Sequence, residues 1–312
     1  MREMFKVIGA CREALVLVTV VASSGATPRG AGARMLVAAA GRVCGTIGGG
    51  AVEYRAIQIA QEVLQDKTSR GHDFSLTKDD VQNLGMICGG AVEVYFHYIP
   101  AGDPHVLALA EEAEGYFARG EALWLISDLK NGGTLSLQNH GPRHPQRIGD
   151  CYVEQISESG RVYIFGGGHV AQELVPVLSH VGFRCVVMDD RPEFADSALF
   201  PTAEQVILGD FHRISDYLTV THEDYVCVMT RGHAGDTVVQ AQVLPCRPTY
   251  CGVIGSAMKA AGVRKALKED YGLTEEELDL VTTPIGLPIK GETPAEIAIS
   301  IAAQMILHRA ER

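Results

Sequence analysis

The sequence predicts an α/β protein, with a mixed α/β N-terminal half followed by a Rossmann-like C-terminal half whose parallel sheet is covered by helices. Three observations carry that reading. From Arg161 onward, short β-rich runs alternate with helix-length segments, the pattern of strand–crossover–strand units. A glycine triplet, Gly166-Gly167-Gly168, stands between one such run and one such segment. Between the halves lies the polar stretch Gln155-Ile156-Ser157-Glu158-Ser159-Gly160-Arg161, which sets expected domains of 1–158 and 159–312.

In the second half, strands are expected at Val162–Phe165, Arg184–Met188, Gln205–Leu208, Tyr225–Met229 and Thr249–Ile254. Helices are expected at His169–Val181, Ala234–Leu244, Ser256–Lys268 and Pro294–Arg309. The last opens with a capping box, in which Thr293 is the N-cap, Pro294 the first helical residue and Glu296 the reciprocal acceptor. In the first half, Leu15–Val21 and Arg34–Ala39 read as strands flanking a polar loop. Ala51–Gln65 reads as a helix, Glu93–Tyr98 as a half-buried strand and Val106–Ala118 as a helix. Ala122–Asp128 and Thr134–Gln138 read as strands, and Asn139–Asp150 as an exposed loop.

Composition narrows the function classes. The chain has 312 residues, enough for two cores, with 46% hydrophobic and 21% charged residues, the profile of a soluble globular protein. Its formal net charge of −11, with no offsetting basic run, argues against nucleic-acid binding. The apolar run Ala14–Ala22 is too short to span a membrane and nothing at the N-terminus reads as secretory, so a cytoplasmic protein with reduced thiols is expected. Eight cysteines are scattered without a CxxC pair, so no zinc motif is present.

Several turns carry candidate chemistry. Gly166, Gly168 and Ala171 fit G-x-G-x-x-A, the pattern that brings a diphosphate to a helix N-terminus, here beginning at His169. Asp189 and Asp190 end the next strand, at the distance suited to a ribose hydroxyl, with Arg191 beside them. Thr230-Arg231-Gly232-His233-Ala234-Gly235-Asp236 follows another strand. There Arg231 suits a phosphate, and His233 with Asp236 suits an oriented imidazole, unless both serve only the turn. Gly255 and Ser256 would expose backbone N–H groups near Lys259, or form a plain turn and N-cap. In the first half, the loop Ser23–Arg34 carries Arg29 and Arg34, and Gly48-Gly49-Gly50 precedes a helix, so both read as anion sites. Against the second stands Glu53, which can satisfy that helix end itself.

Residues Gly85-Met86-Ile87-Cys88-Gly89-Gly90-Ala91-Val92-Glu93 set one thiol against a glycine pair, a position that presents sulfur rather than packing it. Ile47-Gly48-Gly49-Gly50-Ala51-Val52-Glu53 repeats the pattern with glycine in place of Cys88, which reads as two related loops of one cleft. Either turn can equally be structural, with Cys88 an ordinary buried thiol.

Taken in order, these segments resemble the XdhC/CoxI family, the accessory factors of xanthine dehydrogenase and related molybdenum hydroxylases. The resemblance rests on Thr27-Pro28-Arg29, Gly45–Gly50 and Met86–Gly90. It continues through Phe165–Ala171, Asp189–Phe194, Thr230–Asp236, Tyr250–Lys259, Pro284–Leu287 and Thr293–Ile297, and so spans nearly the whole chain. It implies a cofactor chaperone rather than a metabolic enzyme, one that binds the molybdenum cofactor, supports its sulfuration by a cysteine desulfurase and delivers it to a xanthine dehydrogenase-type hydroxylase. It also implies a homodimer. Mapped onto this chain, Cys88 becomes the thiol that meets the molybdenum centre, and Arg29, Arg34, Gly48–Gly50, Gly89 and Gly90 become contacts for the pterin-phosphate end. A nucleotide-extended form of the cofactor would suit the C-terminal half. The rival readings are an NAD(P)-dependent oxidoreductase and a non-catalytic nucleotide sensor, although no Tyr-x-x-x-Lys pair supports the first.

Overall fold

The computed structural model describes residues 1–25, 27, 29–75, 90–130, 132–157 and 160–311. Its chain divides into two compact units, Met1–Glu158 and Ser159–Arg312.

The C-terminal unit is a six-stranded parallel sheet. Its strands are β10 (Val162–Phe165), β11 (Cys185–Asp189), β12 (Gln205–Leu208), β13 (Tyr225–Val228), β14 (Tyr250–Val253) and β15 (Val281–Thr282), in the order β12-β11-β10-β13-β14-β15. That order is the doubly wound one, with the switch point between β10 and β13. The helices are α4 (His169–His180), α5 (His233–Val243), α6 (Ala257–Glu269), α7 (Glu275–Leu278) and α8 (Pro294–Glu311). Alternate residues of each central strand enter different cores. Val162 and Ile164 pack with Leu174, Val175, Ile301 and Met305 from α4 and α8. Tyr163 and Phe165 pack with Val239, Val243 and Leu267 from α5 and α6. Both faces are therefore apolar, and the central strands read as unbroken hydrophobic runs rather than alternating ones. The expected capping box of α8 is present, with Glu296 accepting from the Thr293 N–H at 2.9 Å.

The N-terminal unit holds two antiparallel sheets. One has the order β3-β2-β1-β5-β4, built from β1 (Leu15–Ser24), β2 (Arg34–Ala38), β3 (Gly41–Thr46), β4 (Arg70–Ser75) and β5 (Ala91–Ile99). The other has the order β7-β6-β9-β8, built from β6 (Leu123–Asp128), β7 (Leu135–Gln138), β8 (Gln146–Ile148) and β9 (Cys151–Ser157). Helix α2 (Gly50–Asp66) covers one face of β1 through Val52, Ala56 and Ile59, against Val16, Val18 and Val20. Helices α1 (Arg2–Ala10) and α3 (Pro104–Arg119) cover the other, against Leu15 and Leu17. The elements α1, β3, β4 and β9 are additions to those expected from the sequence, and residues 139–150 are not wholly the exposed loop expected there. The short edge strand β8 lies inside that stretch, exposed along its length, so its pairing with β9 leaves no apolar pattern to read.

Arg34 also departs from expectation. It is the first residue of β2, opposite Thr19, and is only 5% exposed. Its guanidinium forms a buried ion pair with Glu154 of β9, linking the two sheets of this unit. A guanidinium buried and paired in this way belongs to the framework and not to an anion-binding loop.

Among the described residues, no helix is long and apolar enough to cross a membrane.

Two predictions come from this unit. Removing one partner of a buried ion pair strands the other, so Arg34→Ala is expected to cost about 3–5 kcal/mol in denaturant unfolding, whereas an exposed anion clamp would cost almost nothing. His97 on β5 is 4% exposed, and its Nδ1 has no hydrogen-bond partner among the described residues. Burial lowers its pKa from 6.5 to about 4, against a smaller opposing pull from Asp103. Below pH 6.5 the unfolded chain takes up a proton that the folded one refuses, so stability falls as pH drops from about 6.5 to 4. The loss amounts to roughly 3 kcal/mol at most. Urea titrations across that range should show the slope in the native chain, and His97→Phe should flatten it.

Candidate functional site

The carboxyl edge of the parallel sheet gathers the turns after β10, β13 and β14. The turn after β10 is shaped by backbone crowding. Gly166 has φ +114° and lies against the Met229 carbonyl at the end of β13, where a Cβ has no room. Gly167 lies just as close to the Phe194 carbonyl. Gly168 differs, because nothing lies within 4 Å of the place a Cβ would occupy. It is the N-cap of α4 and contributes no side-chain cap, so its open side is where a ligand can approach the first N–H groups of the helix. His169 follows as the first, exposed residue of α4, and Ala171 is fully buried where the helix meets the sheet.

Asp189 does not have the role expected of it. Its carboxylate is 1% exposed and accepts four hydrogen bonds: from the Gly167 N–H (2.7 Å), the Arg191 N–H (3.0 Å), and Arg191 Nε (2.9 Å) and Nη2 (3.0 Å). Burial alone would raise its pKa, but the Arg191 guanidinium and the two N–H groups hold it below the ordinary carboxylate range. Arg191 in turn lies 3.9 Å above the Phe194 ring. With both oxygens engaged internally, Asp189 is not the ribose-binding acid. Asp190, whose side chain is 53% exposed, is the carboxylate at this strand end that faces solvent. Only the spacing of Asp189 and Arg191, two residues apart and at the end of a strand, could have signalled the pair in the sequence.

The turn after β13 is wired in a similar way. Asp236 is buried and accepts from the Thr230 N–H (3.1 Å) and hydroxyl (2.7 Å), so this carboxylate serves the turn. His233 is the first residue of α5, and its side chain lies outside the described residues, so the expected His233–Asp236 pair is not placed. Arg231 is exposed on the turn, and Gly232 is the N-cap of α5 with no side-chain cap. Ser256 likewise caps α6 by position only, without a side-chain hydrogen bond, beside Gly255 at φ +156°. Three helices thus begin at this edge with no side-chain cap, whereas Asp103 caps α3 and a Thr274–Glu277 capping box closes α7. N–H groups left without side-chain acceptors at one sheet edge, near Arg231 and Lys259, suit an anionic group such as a phosphate.

In the N-terminal unit, the Gly48–Gly50 turn is closed by the chain itself. Glu53 accepts from the Ile47 and Gly49 N–H groups at 3.0 and 3.1 Å, from the Thr46 hydroxyl and from Arg42, while the Gly48 N–H donates to Thr46 Oγ1. Burial would raise the Glu53 pKa, but these donors hold it below the usual range. The expected anion site at this turn is therefore filled by Glu53. The supposed repeat also diverges: Glu53 lies in α2, whereas Glu93 lies in β5 and pairs with Arg147 at 3.0 Å. The short shared pattern leads into helical apolar spacing at Val52, Ala56 and Ile59 in one case, and into the β-rich run Val92-Glu93-Val94-Tyr95-Phe96 in the other.

Arg29 is exposed in the loop between β1 and β2. Gly90 immediately precedes β5, while Cys88 and Gly89 lie outside the described residues. Among the described residues, no group of three or more His, Cys, Asp and Glu is placed to hold a metal. Cys185 and Cys251 are buried, which pushes both thiols up to about 12, and burial raises Cys227 as well. Such thiols stay protonated and pack as small hydrophobes.

Two family profiles match the chain, "XdhC and CoxI family" over residues 10–75 and "XdhC Rossmann domain" over residues 162–305. Together they cover about two thirds of it. The chain belongs to the XdhC and CoxI family. A Bacillus subtilis (strain 168) protein whose name makes it a probable xanthine dehydrogenase component is 26% identical, and the match covers 96% of this chain and 94% of that one. The Escherichia coli (strain K12) "Molybdenum cofactor insertion chaperone PaoD" is 26% identical over 95% of this chain and 85% of its own length. The "Uncharacterized protein YqeB" of the same organism is 25% identical, and the chain spans only 42% of it. A crystal structure described as a xanthine dehydrogenase from Bacillus halodurans superposes with a TM-score of 0.83 at 24% identity, over all of this chain and 96% of that one, and so shares its fold.

The two flanking glycines give this member of the XdhC and CoxI family a built-in control. Gly166→Ala is expected to cost about 2–4 kcal/mol, from its positive φ and the crowded Met229 carbonyl. Gly168→Ala, at φ −68° and in open space, should change stability by less than about 1 kcal/mol while weakening pyrophosphate binding roughly tenfold. Thermal unfolding and isothermal titration of the two variants separate these effects, and equal pyrophosphate affinity in native and Gly168→Ala chains would remove α4 from the site.

Proposed function

We propose that this protein is an accessory factor that binds the molybdenum cofactor, supports its sulfuration and hands it to a xanthine dehydrogenase-type hydroxylase. The observation that carries the reading is the carboxyl edge of the C-terminal sheet, with Gly168 open to solvent and α4, α5 and α6 lacking side-chain caps. That edge has the chemistry for the phosphate-bearing end of a nucleotide-extended cofactor, with Arg231 and Asp190 as the exposed charged groups nearest the two turns. The name of the Escherichia coli relative, an insertion chaperone for the same cofactor, supports the assignment.

Cys88 supplies a soft thiolate for a sulfide-loving metal, and Arg29 supplies positive charge for the pterin-phosphate end. The protein itself carries out no net chemistry. A cysteine desulfurase delivers sulfur to the held cofactor, and the hydroxylase accepts it, with the chaperone acting as a cytoplasmic homodimer.

The test is direct. The protein purified from a molybdopterin-producing host should release the fluorescent oxidised pterin. Cys88→Ser should lower the bound amount roughly tenfold or more and impair activation of the client hydroxylase. Unchanged cofactor content together with unchanged hydroxylase activation in Cys88→Ser would exclude the thiol from the mechanism. Absence of pterin from the native protein would exclude the chaperone reading.

A further inference from the structure

Between β14, α5, α6 and α7 the C-terminal unit carries a half-open cavity of about 140 Å³, bordered at its mouth by Gly255 of the turn after β14. Its walls are chiefly apolar, with Val253, Leu267 and Leu278 nearly fully buried around it. A dry cavity of about 150 Å³ lined by apolar side chains holds one benzene molecule. The recessed part of the space therefore matches a single six-membered ring.

Two polar groups give the cavity direction. Gln240, 2% exposed, lines the wall and donates its amide N–H to the Asp236 carbonyl at 3.0 Å. Its amide oxygen has no hydrogen-bond partner among the described residues, which makes it an acceptor for a donor on the ring. At the rim stands Lys259, in the first turn of α6, with no ion-pair partner among the described residues. The other charged wall residues are engaged elsewhere. Asp236 accepts from Thr230, and Arg264 pairs with Glu275 and Asp279. The wall thus offers an apolar body, one amide acceptor and one cation without an ion-pair partner among the described residues.

We propose that this cavity binds a small monocyclic aromatic ligand, with a ring hydrogen-bond donor received by Gln240 and an anionic tail, carboxylate or phosphate, held by Lys259. A ligand seated there would contact α5, α6 and α7 together and brace the segment from Gly255 onward that borders the sheet edge. The site needs neither pterin nor nucleotide, so its test stands apart from the chaperone reading.

The experiment is titration calorimetry on the full chain with 4-hydroxyphenylacetate and with 4-hydroxyphenyl phosphate, and with 6-hydroxy-2-naphthoate as the bicyclic control. Saturable binding of either monocyclic probe is expected, the stronger one identifying the preferred anion, with no binding of the naphthoate. Ala260→Leu, which fills the cavity, should abolish binding, and Lys259→Gln should weaken it about tenfold. Lys259 is exposed, so its variant remains decisive even where the filled cavity disturbs folding. No saturable binding of either monocyclic probe, naphthoate binding as tightly as they do, or affinity unchanged in Lys259→Gln would each overturn the proposal.

Discussion

The carboxylate of Asp189 organises the edge on which the candidate site is built. It lies at the end of β11 and reaches across to the neighbouring turn, where it takes the Gly167 N–H. It also fixes Arg191, whose guanidinium stacks on Phe194, and the Phe194 carbonyl closes over Gly167. A buried carboxylate is tolerated only when its lone pairs are filled, and four donors fill these. The glycine turn is consequently set before any ligand arrives, with Gly168 as its open member. A preset turn reduces the ordering cost that a bound phosphate must otherwise offset.

The same device recurs. Glu53 folds back onto the turn that precedes α2, and Asp236 onto the turn that precedes α5. In each case a carboxylate within the first four helical residues, or at the end of the adjacent strand, takes turn N–H groups. The outcomes differ in what remains available. In the N-terminal unit the carboxylate fills the turn and leaves no anion site there. In the C-terminal unit the carboxylates shape the turns but do not cap the helices, and the N-termini of α4, α5 and α6 keep their capacity for an anion.

Much of the architecture was legible because periodicity records burial. Val162–Phe165 and Tyr225–Val228 are continuous apolar runs between helical segments, and a strand buried on both faces has no polar side to show. Edge elements were harder to read. Gln146–Ile148 is exposed throughout, and β3 alternates weakly, so neither leaves a pattern beyond polar composition. The candidate site was legible as a set of turns after strands, which follows from chain order in a parallel sheet. Which donor each acid takes was not legible, because Asp189 and Glu53 choose among partners brought together only by folding.

The amino-acid sequence by itself determined the class of each half, the alternation of strands and helices in the second and the placing of glycines where the chain turns. Those are local properties, set by side-chain shape, spacing and the conformational freedom of glycine. The tertiary structure alone decided that Arg34 is a buried partner of Glu154, that Asp189 serves its own turn, and that Gly168 faces open space while Gly166 and Gly167 do not. Charge pairing and steric room depend on groups distant in the chain. Arg34 and Glu154 are joined across two sheets, and Gly166 meets Met229 at the end of a strand that comes much later in the chain. No local pattern encodes such meetings, and they are what separates a framework charge from a binding one.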